Sequence, residues 1–468
     1  MSDYELVVVG AGPGGYVAAI RAAQLGMRTA IAERAEVGGT CLNRGCIPTK
    51  TLMHAAHLMG EIRNARRIGI SLGAVDIDIE RVYEHKNEVV SQLRAGVEDL
   101  LSGNGVRLMR GRAVIERADG GVYRVRVGDS AVTAERVLIA TGGMPVRLSI
   151  PGADLPGVLT SDDVLGKPGG LRRRLTIIGG GVIGVEFAGI FNMFGADVTI
   201  IEAMDRLIPS MDREISQNLQ MILKRGSVRI HTSAAVKGIE RADGGLRCVF
   251  EKKGAPESAL GDAILVSIGR RADTDGLFSD GTDIGLDRGM IPVDENFETK
   301  VKGIYAVGDV VKGGAQLAHA ASAQGIRAVS LMASEPAPVD LSVIPYCVYT
   351  DPEIASVGID ADGAKRAGIP CKTGKFVMSA NGKNVIEMAE RGFVKVVFHA
   401  ESEVILGAQM MCPRATDMIG EFASALANRL TREQMSKAMH AHPTFAEAIG
   451  EAVEDTRSLA IHIMPRKR

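Results

Sequence analysis

The chain has 468 residues, 46% of them apolar and none of them tryptophan, enough for several hydrophobic cores and about two to four domains of ordinary size. Its 55 Lys and Arg face 56 Asp and Glu, so no basic surplus points to nucleic acid or to an anionic membrane surface. Six cysteines are too few for a disulfide framework, which favours a reducing cytoplasm and makes any disulfide there a catalytic one.

The first apolar run, YELVVVG, meets Gly10, Gly12 and Gly15 and passes into the helical pattern YVAAIRAAQLG. Both runs are broken by glycine or charge, are too short to cross a bilayer and carry no cleavage site, so neither secretion nor anchoring is expected. A lone GxGxxG is a weak signal. Here the glycines sit where a strand hands over to a helix, and MRTAIAE supplies a second strand ending at Glu33, eighteen residues past Gly15. In that arrangement a pyrophosphate rests on a helix N-terminus and a carboxylate accepts hydrogen bonds from ribose hydroxyls. GGTCLNRGCIPTK, residues 38–50, follows with Cys41 and Cys46, then a helical stretch to about Leu101. A hairpin, VIERADGGVYRV, and a strand, LIATGG, close the module.

The same order is then repeated. LTIIGGGVIGVEFAGIF carries Gly179, Gly181 and Gly184, with Glu202 again eighteen residues past the last glycine; the hairpin GIERADGGLRCV and the strand LVSIGR follow. Two nucleotides are implied, bound by two copies of one plan, the first enlarged by an insertion that holds the cysteines. A strand, GIYAVGDV, and a helix, LAHAASAQGIRAV, precede a change of character near Ser342. Beyond it IPYCVYTDPEIASVG, GFVKVVFHA and VILGAQMM read as antiparallel strands of an α+β domain.

Three readings compete for Cys41 and Cys46. Unreactive buried thiols need no special neighbours. Zinc ligands would recruit His54 and His57, although the gap between the pairs is shorter than usual for a finger. A redox pair needs thiols within bonding reach, a helix start that stabilises thiolate, and a nearby cofactor. Gly38 and Gly39 provide a turn, Pro48 tolerates only the early part of a helix, and the segment directly follows the Glu33 strand.

GGTCLNRGCIPTK, the two glycine fingerprints, ATG at 140–142, YAVGD at 305–309, LAH at 317–319 and HPTFAE at 442–447 together resemble the flavin disulfide reductases, and among them the dihydrolipoamide dehydrogenases. The likeness runs from Tyr4 to the final IHI. It implies an α/β fold with two Rossmann-like dinucleotide-binding domains and a C-terminal α+β dimerisation domain. Residues 1–148 would bind FAD and 149–271 NAD; 272–340 would complete the FAD domain, and 341–468 would form the dimer. Cys41 would be the interchange thiol that meets substrate, Cys46 the thiol against the flavin, and Lys50 with its partner Glu186 would stand beside the flavin N5. The resemblance implies FAD held by Gly10, Gly12, Gly15, Glu33, Lys50, Thr141 and Gly142, with Asp309 on the ribityl chain and the backbone at Ala318 and His319 near the pyrimidine edge. It implies NAD on Gly179, Gly181, Gly184, Glu186, Glu202 and Gly269, and no metal. His442, oriented by Glu447, would be the base and would serve the other subunit of a homodimer. His440 would be a surface or packing residue.

Within the family, Glu202 favours NAD over NADP, although Arg206 four residues on is a possible phosphate partner. The C-terminus SLAIHIMPRKR has no cysteine, unlike mercuric and large thioredoxin reductases. MSDYELVVVG enters the first strand at once, so the lipoyl group is expected on a separate protein of a 2-oxo acid dehydrogenase or glycine cleavage system. Glutathione reductase is the nearest alternative, and a flavoprotein serving only as a complex subunit is another. Arg44 stands where a small apolar residue is common, GRRADTDGL replaces the more usual GRxPNT, and Gln324 replaces a frequent Glu.

Overall fold

The computed structural model describes residues 2–117, 121–167, 173–279, 282, 284–337 and 339–464. Strand Tyr4–Val9 ends in four fully buried valine-rich positions because it lies at the centre of a parallel sheet covered on both faces. Its parallel neighbours run in the order Arg107–Arg110, Thr29–Glu33, Tyr4–Val9, Ser130–Ile139, Ile304–Ala306. The second sheet has the same plan: Arg229–His231, Asp197–Ile201, Arg174–Ile178, Ala263–Val266, Val158–Leu159, all parallel. The sequence repeat is therefore a repeat of topology.

Each copy also carries an antiparallel meander. In the first, Ala113–Arg117 and Tyr123–Val127 pair with the start of Ser130–Ile139, which runs on into the parallel core. The turn expected at the first Asp-Gly-Gly, residues 119–121, falls outside the described residues except for Gly121. In the second, Ala234–Ala242, Gly245–Lys252 and Ala255–Gly261 form a separate three-stranded sheet, broken from Ala263–Val266 at Asp262. The insertion in the first copy is dominated by two long helices, Cys46–Asn64 and Ile79–Gly103, the latter capped by the Asp78 carboxylate.

Those helices bind the copies together. Leu52, Met53 and Ala56 of the cysteine-bearing helix share one core with Val185, Phe187 and Ile190 of the helix after the second glycine turn. Val348, Ile354, Phe393 and Met411 of the C-terminal region join the same core. That region is a five-stranded antiparallel sheet in the order Tyr346–Val348, Ile354–Gly358, Ile405–Met411, Phe393–His399, Cys371–Val377, backed by helices Ala415–Ala427 and Glu447–Asp455. A half-buried charge cluster links it to the second nucleotide module: Lys395 Nζ lies 2.9 Å from Asp212 and 3.1 Å from Glu214, and Lys375 also pairs with Glu214. Among the described residues no helix is long and apolar enough to cross a membrane.

Candidate active site

The two glycine turns are built alike because the same steric problem recurs. Gly10 has φ +100° and Gly179 φ +107°, where a side chain is strained, and a Cβ on either would stand 2.4 Å from the carbonyl oxygen of Ala140 or Ser267. One helical turn on, a Cβ on Gly15 would lie 1.8 Å from the Gly10 oxygen and one on Gly184 2.0 Å from the Gly179 oxygen. The strand and helix close on each other only without side chains there. Gly12 and Gly181 cap the helices Pro13–Gln24 and Val182–Met193, whose N-terminal ends are the positive poles of the helix dipoles.

The acidic strand ends repeat as well. Glu33 accepts from the amides of Ala11 and Ala35, both at 2.8 Å, and Glu202 accepts from Gly180 and from Met204 at 2.6 Å. Each carboxylate thus braces its own glycine turn and keeps lone pairs for a hydroxyl donor. Arg206 donates to the Pro209 carbonyl at 2.8 Å and is absent from the cavity wall. Its guanidinium is thus already engaged by a carbonyl of the chain.

One cavity of about 1210 Å³ joins the two turns. That exceeds the roughly 300–1,000 Å³ that encloses one small ligand. Gly10, Gly12, Glu33, Thr141 and Gly142 line it from the first module, and Gly179, Gly181, Glu202 and Gly269 from the second. Asp309, Ala318 and His319 lie on the same wall; Gly15 and Gly184 sit behind it, pressed into their turns. Among the described residues, polar groups without protein partners lie on this wall. Thr141 Oγ1 is buried without a partner, and Asp309, whose carboxyl is raised above the usual range by burial with Arg270 opposing, has no protein hydrogen bond among the described residues. The helix Ala318–Met332 points its free first-turn amides to the same end. Phosphate cradles, ribose acceptors and an orphaned acid beside a helix start fit two dinucleotides.

Between the turns lie the thiols. A short helix, Gly39–Arg44, carries Cys41, and Cys46 opens the long helix Cys46–Asn64, where helix polarity favours anionic sulfur. Both line the cavity as free thiols and hydrogen-bond each other. The bond from Cys41 lowers Cys46 to about 7 against the opposing effect of burial, and Lys50 contributes in the same direction. Cys41 is pushed up by the same hydrogen bond and by burial. The pair shares one negative charge, carried by Cys46. Cys347 reaches the same cavity but is raised to about 11 by burial and stays protonated. His54 and His57 do not line it.

Lys50 is one turn past Cys46 and places Nζ 2.7 Å from Glu186, which is only 4% exposed in the apolar helix Val182–Met193. The second Glu186 oxygen accepts from the Tyr349 amide at 2.9 Å, and the Lys50 ammonium stands 4.4 Å from the Tyr349 ring centroid. Tyr349 escaped the sequence reading because it arrives from the C-terminal region with no local motif. Arg270 escaped it too: its guanidinium donates to the Gly143 carbonyl at 2.6 Å and lies 3.8 Å from Asp162, on the wall facing Asp309.

His442 and Glu447 are bonded to each other, Nδ1 to Oε1 at 2.8 Å, and Glu447 also accepts from the Thr444 amide at 2.9 Å. They do not line the cavity of their own chain, and the His442 side chain is 77% exposed. His440 is instead mostly covered and pairs with Glu421 at 3.2 Å, which raises its pKa. The departures from the family pattern also find partners. Arg44 pairs with Glu36 at 3.3 Å, and buried Gln324 accepts from the Gly308 amide at 2.8 Å, a bond that an ionised Glu would make equally.

Comparison with known proteins agrees with this geometry. The family model described as pyridine nucleotide-disulphide oxidoreductase matches residues 4–325, and its dimerisation domain matches 344–453. The chain is 40% identical to a dihydrolipoyl dehydrogenase of Bacillus subtilis, over 98% of this chain and 99% of that protein, and 39% identical to one of Geobacillus stearothermophilus over 99% and 98%. Among solved structures it resembles LpdA from Mycobacterium tuberculosis, with a TM-score of 0.87 and 26% identity over 96% of this chain and 99% of that one. It also resembles the HOCl-induced flavoprotein disulfide reductase RclA from Escherichia coli, with a TM-score of 0.84 and 29% identity over 96% and 99%. The chain belongs to the pyridine nucleotide-disulphide oxidoreductase family.

Proposed function

We propose that the protein is a dihydrolipoyl dehydrogenase that oxidises protein-bound dihydrolipoamide to lipoamide and reduces NAD+ to NADH. The observation that carries this reading is the Cys41–Cys46 pair on the wall of one cavity framed by both glycine turns, in a chain whose dihydrolipoyl dehydrogenase relatives align over nearly its whole length. FAD belongs to the first module and NAD to the second, with the chain divided at about residues 148, 271 and 340 into FAD, NAD, central and dimerisation regions. FAD, when bound, supplies a ring that passes an electron pair between the thiols and the nicotinamide.

The chain's own residues do the thiol chemistry. In the oxidised protein a substrate thiolate attacks the Cys41 sulfur; the Cys41–Cys46 bond breaks and Cys46 leaves as thiolate, which its surroundings hold in that form. His442 of the partner subunit, held by Glu447, takes the proton from the second substrate thiol, which displaces Cys41 and closes the lipoamide ring. Lys50 and Glu186 place a compensated cation beside Cys46, and Tyr349 fixes the carboxylate from the C-terminal side. The exposure of His442 and its absence from its own chain's cavity support a base that works across a homodimer. The partner is a lipoyl-bearing protein of a 2-oxo acid dehydrogenase or glycine cleavage system, in a cytoplasm reducing enough to keep such thiols in exchange.

Glu202 and the engagement of Arg206 with Pro209 favour NAD over the NADP of a glutathione reductase. The test is turnover of dihydrolipoamide by the purified yellow protein with NAD+ or NADP+, alongside reduction of glutathione disulfide. NAD-linked dihydrolipoamide oxidation at least about tenfold more efficient than the NADP-linked reaction is expected, and Glu202→Ala should narrow that ratio. Glutathione disulfide reduction with NADPH as the faster reaction would overturn the assignment.

A further inference from the structure

The segment GRRADTDGL reaches the first module's side of the cavity, and its charges are arranged there for a purpose. Strand Arg270–Ala272 pairs antiparallel with Gly143–Pro145 in a register that sets Ala272 against Gly143. Asp273 is thereby delivered beside Gly142, to whose carbonyl its amide donates at 2.9 Å. Its carboxylate is only 7% exposed and meets the guanidinium of Arg34, 239 positions away in the chain. Arg34 is the residue after Glu33. The family pattern GRxPNT would carry a neutral Asn where this chain has Asp273, and an Asn cannot form this ion pair.

The pair is one link of a ring. The Asp275 carbonyl accepts from the Arg112 guanidinium, and the Gly111 amide donates to the Glu33 carbonyl at 2.8 Å. Residues 33–34, 111–112 and 273–275 therefore close on one another, and Glu33, Arg34, Arg112, Asp273 and Asp275 all face the cavity. Beyond the ring the segment is tied down by Thr274 Oγ1 to the Gly289 carbonyl and by the Ile115 amide to the Leu277 carbonyl, both at 2.8 Å. The segment is thus a strap tied at several points along the part of the cavity wall that includes Glu33. Removing either partner breaks this link and leaves the other side chain of the pair without it.

We infer that the Arg34–Asp273 ion pair is an additional cofactor-holding contact of this chain, closing the cavity over the adenosine half of FAD. It rests on the reading of the first module as the FAD site. The test measures the rate at which the diluted full-length protein releases its flavin, from the rise in free-flavin fluorescence, for wild type, Asp273→Asn, Arg34→Met and the double variant. Each single change is expected to speed release about five- to tenfold, and the double variant to release no faster than the quicker single one, because one interaction can be lost only once. Melting temperatures of the flavin-loaded proteins are recorded in parallel. Wild-type release rates in both single variants, with or without a lowered melting temperature, would overturn the inference, and so would accelerations that multiply in the double variant. A wild-type protein that holds no FAD would instead overturn the site reading on which the inference stands.

Discussion

Cys41 and Cys46 are the same residue type five positions apart, and their surroundings give them opposite charge states. Cys46 has a helix start, a hydrogen bond from Cys41 and the Lys50 ammonium; Cys41, half-buried, is raised first by that same hydrogen bond and gives up its proton last. In the reduced protein, alkylation of Cys46 should follow an ionisation near pH 7, below the roughly 8.5 of an ordinary thiol. Below that pH the pair is neutral; above it Cys46 is thiolate. Lys50→Met removes a favourable cation and should move the inflection up, whereas Glu186→Gln removes a repelling carboxylate and should move it down. An inflection at the ordinary thiol value in wild type, or shifts of the opposite sign, would contradict this electrostatic picture. At this scale the sequence was readable where residues share an element. Lys50 lies four positions after Cys46 on one helix, and Glu186 stands out as an acid in an apolar run. Tyr349 and the Arg34 partner of Asp273 were not readable, because contacts spanning 163 and 239 positions are set by packing and not by local pattern.

The repeat is the strongest signal at the scale of elements, and it extends beyond the glycines to the strand order, the meander and the bracing of each turn by its own glutamate. It was legible because strand, glycine turn, helix and acidic strand end recur at equal spacing. The last strand of the second core, Val158–Leu159, was not legible because it is too short to show a period; the strand at Ile304–Ala306 was readable, but its return to the first sheet across the whole second module was expected only from the family resemblance and not from its own pattern. Because each copy carries its own glycine turn, the two glycines should fail separately although the copies share a core. Gly184→Ala drives a methyl onto the Gly179 oxygen and should weaken NADH binding at least about tenfold while flavin content stays near normal. Gly15→Ala does the same to the Gly10 oxygen and should deplete flavin instead. Flavin content and NADH titration of the purified variants check both, and loss of both cofactors in either variant would contradict the division of labour.

The whole molecule explains the residues that a single chain leaves without work. His442 is bonded to Glu447 yet faces away from the cavity, and around it the C-terminal region exposes Met439 at 96%, Ile461 at 81% and Met464 at 86%. Such apolar exposure is what a surface covered by a second copy would show, and the adjoining residues match a family dimerisation domain. The central claim is that a working centre needs the thiols of one copy and the histidine of the other. Cys41→Ser and His442→Gln should each lose most dihydrolipoamide turnover, the latter by about 10² to 10⁴ in rate while flavin binding survives. The most direct measurement mixes the two inactive proteins in equal amounts under conditions that exchange subunits and assays NADH formation from dihydrolipoamide. About half the dimers are then mixed, each with one intact centre, so up to roughly a quarter of wild-type activity should return. No recovery, with exchange demonstrated independently, would place thiols and base in one chain and contradict the account.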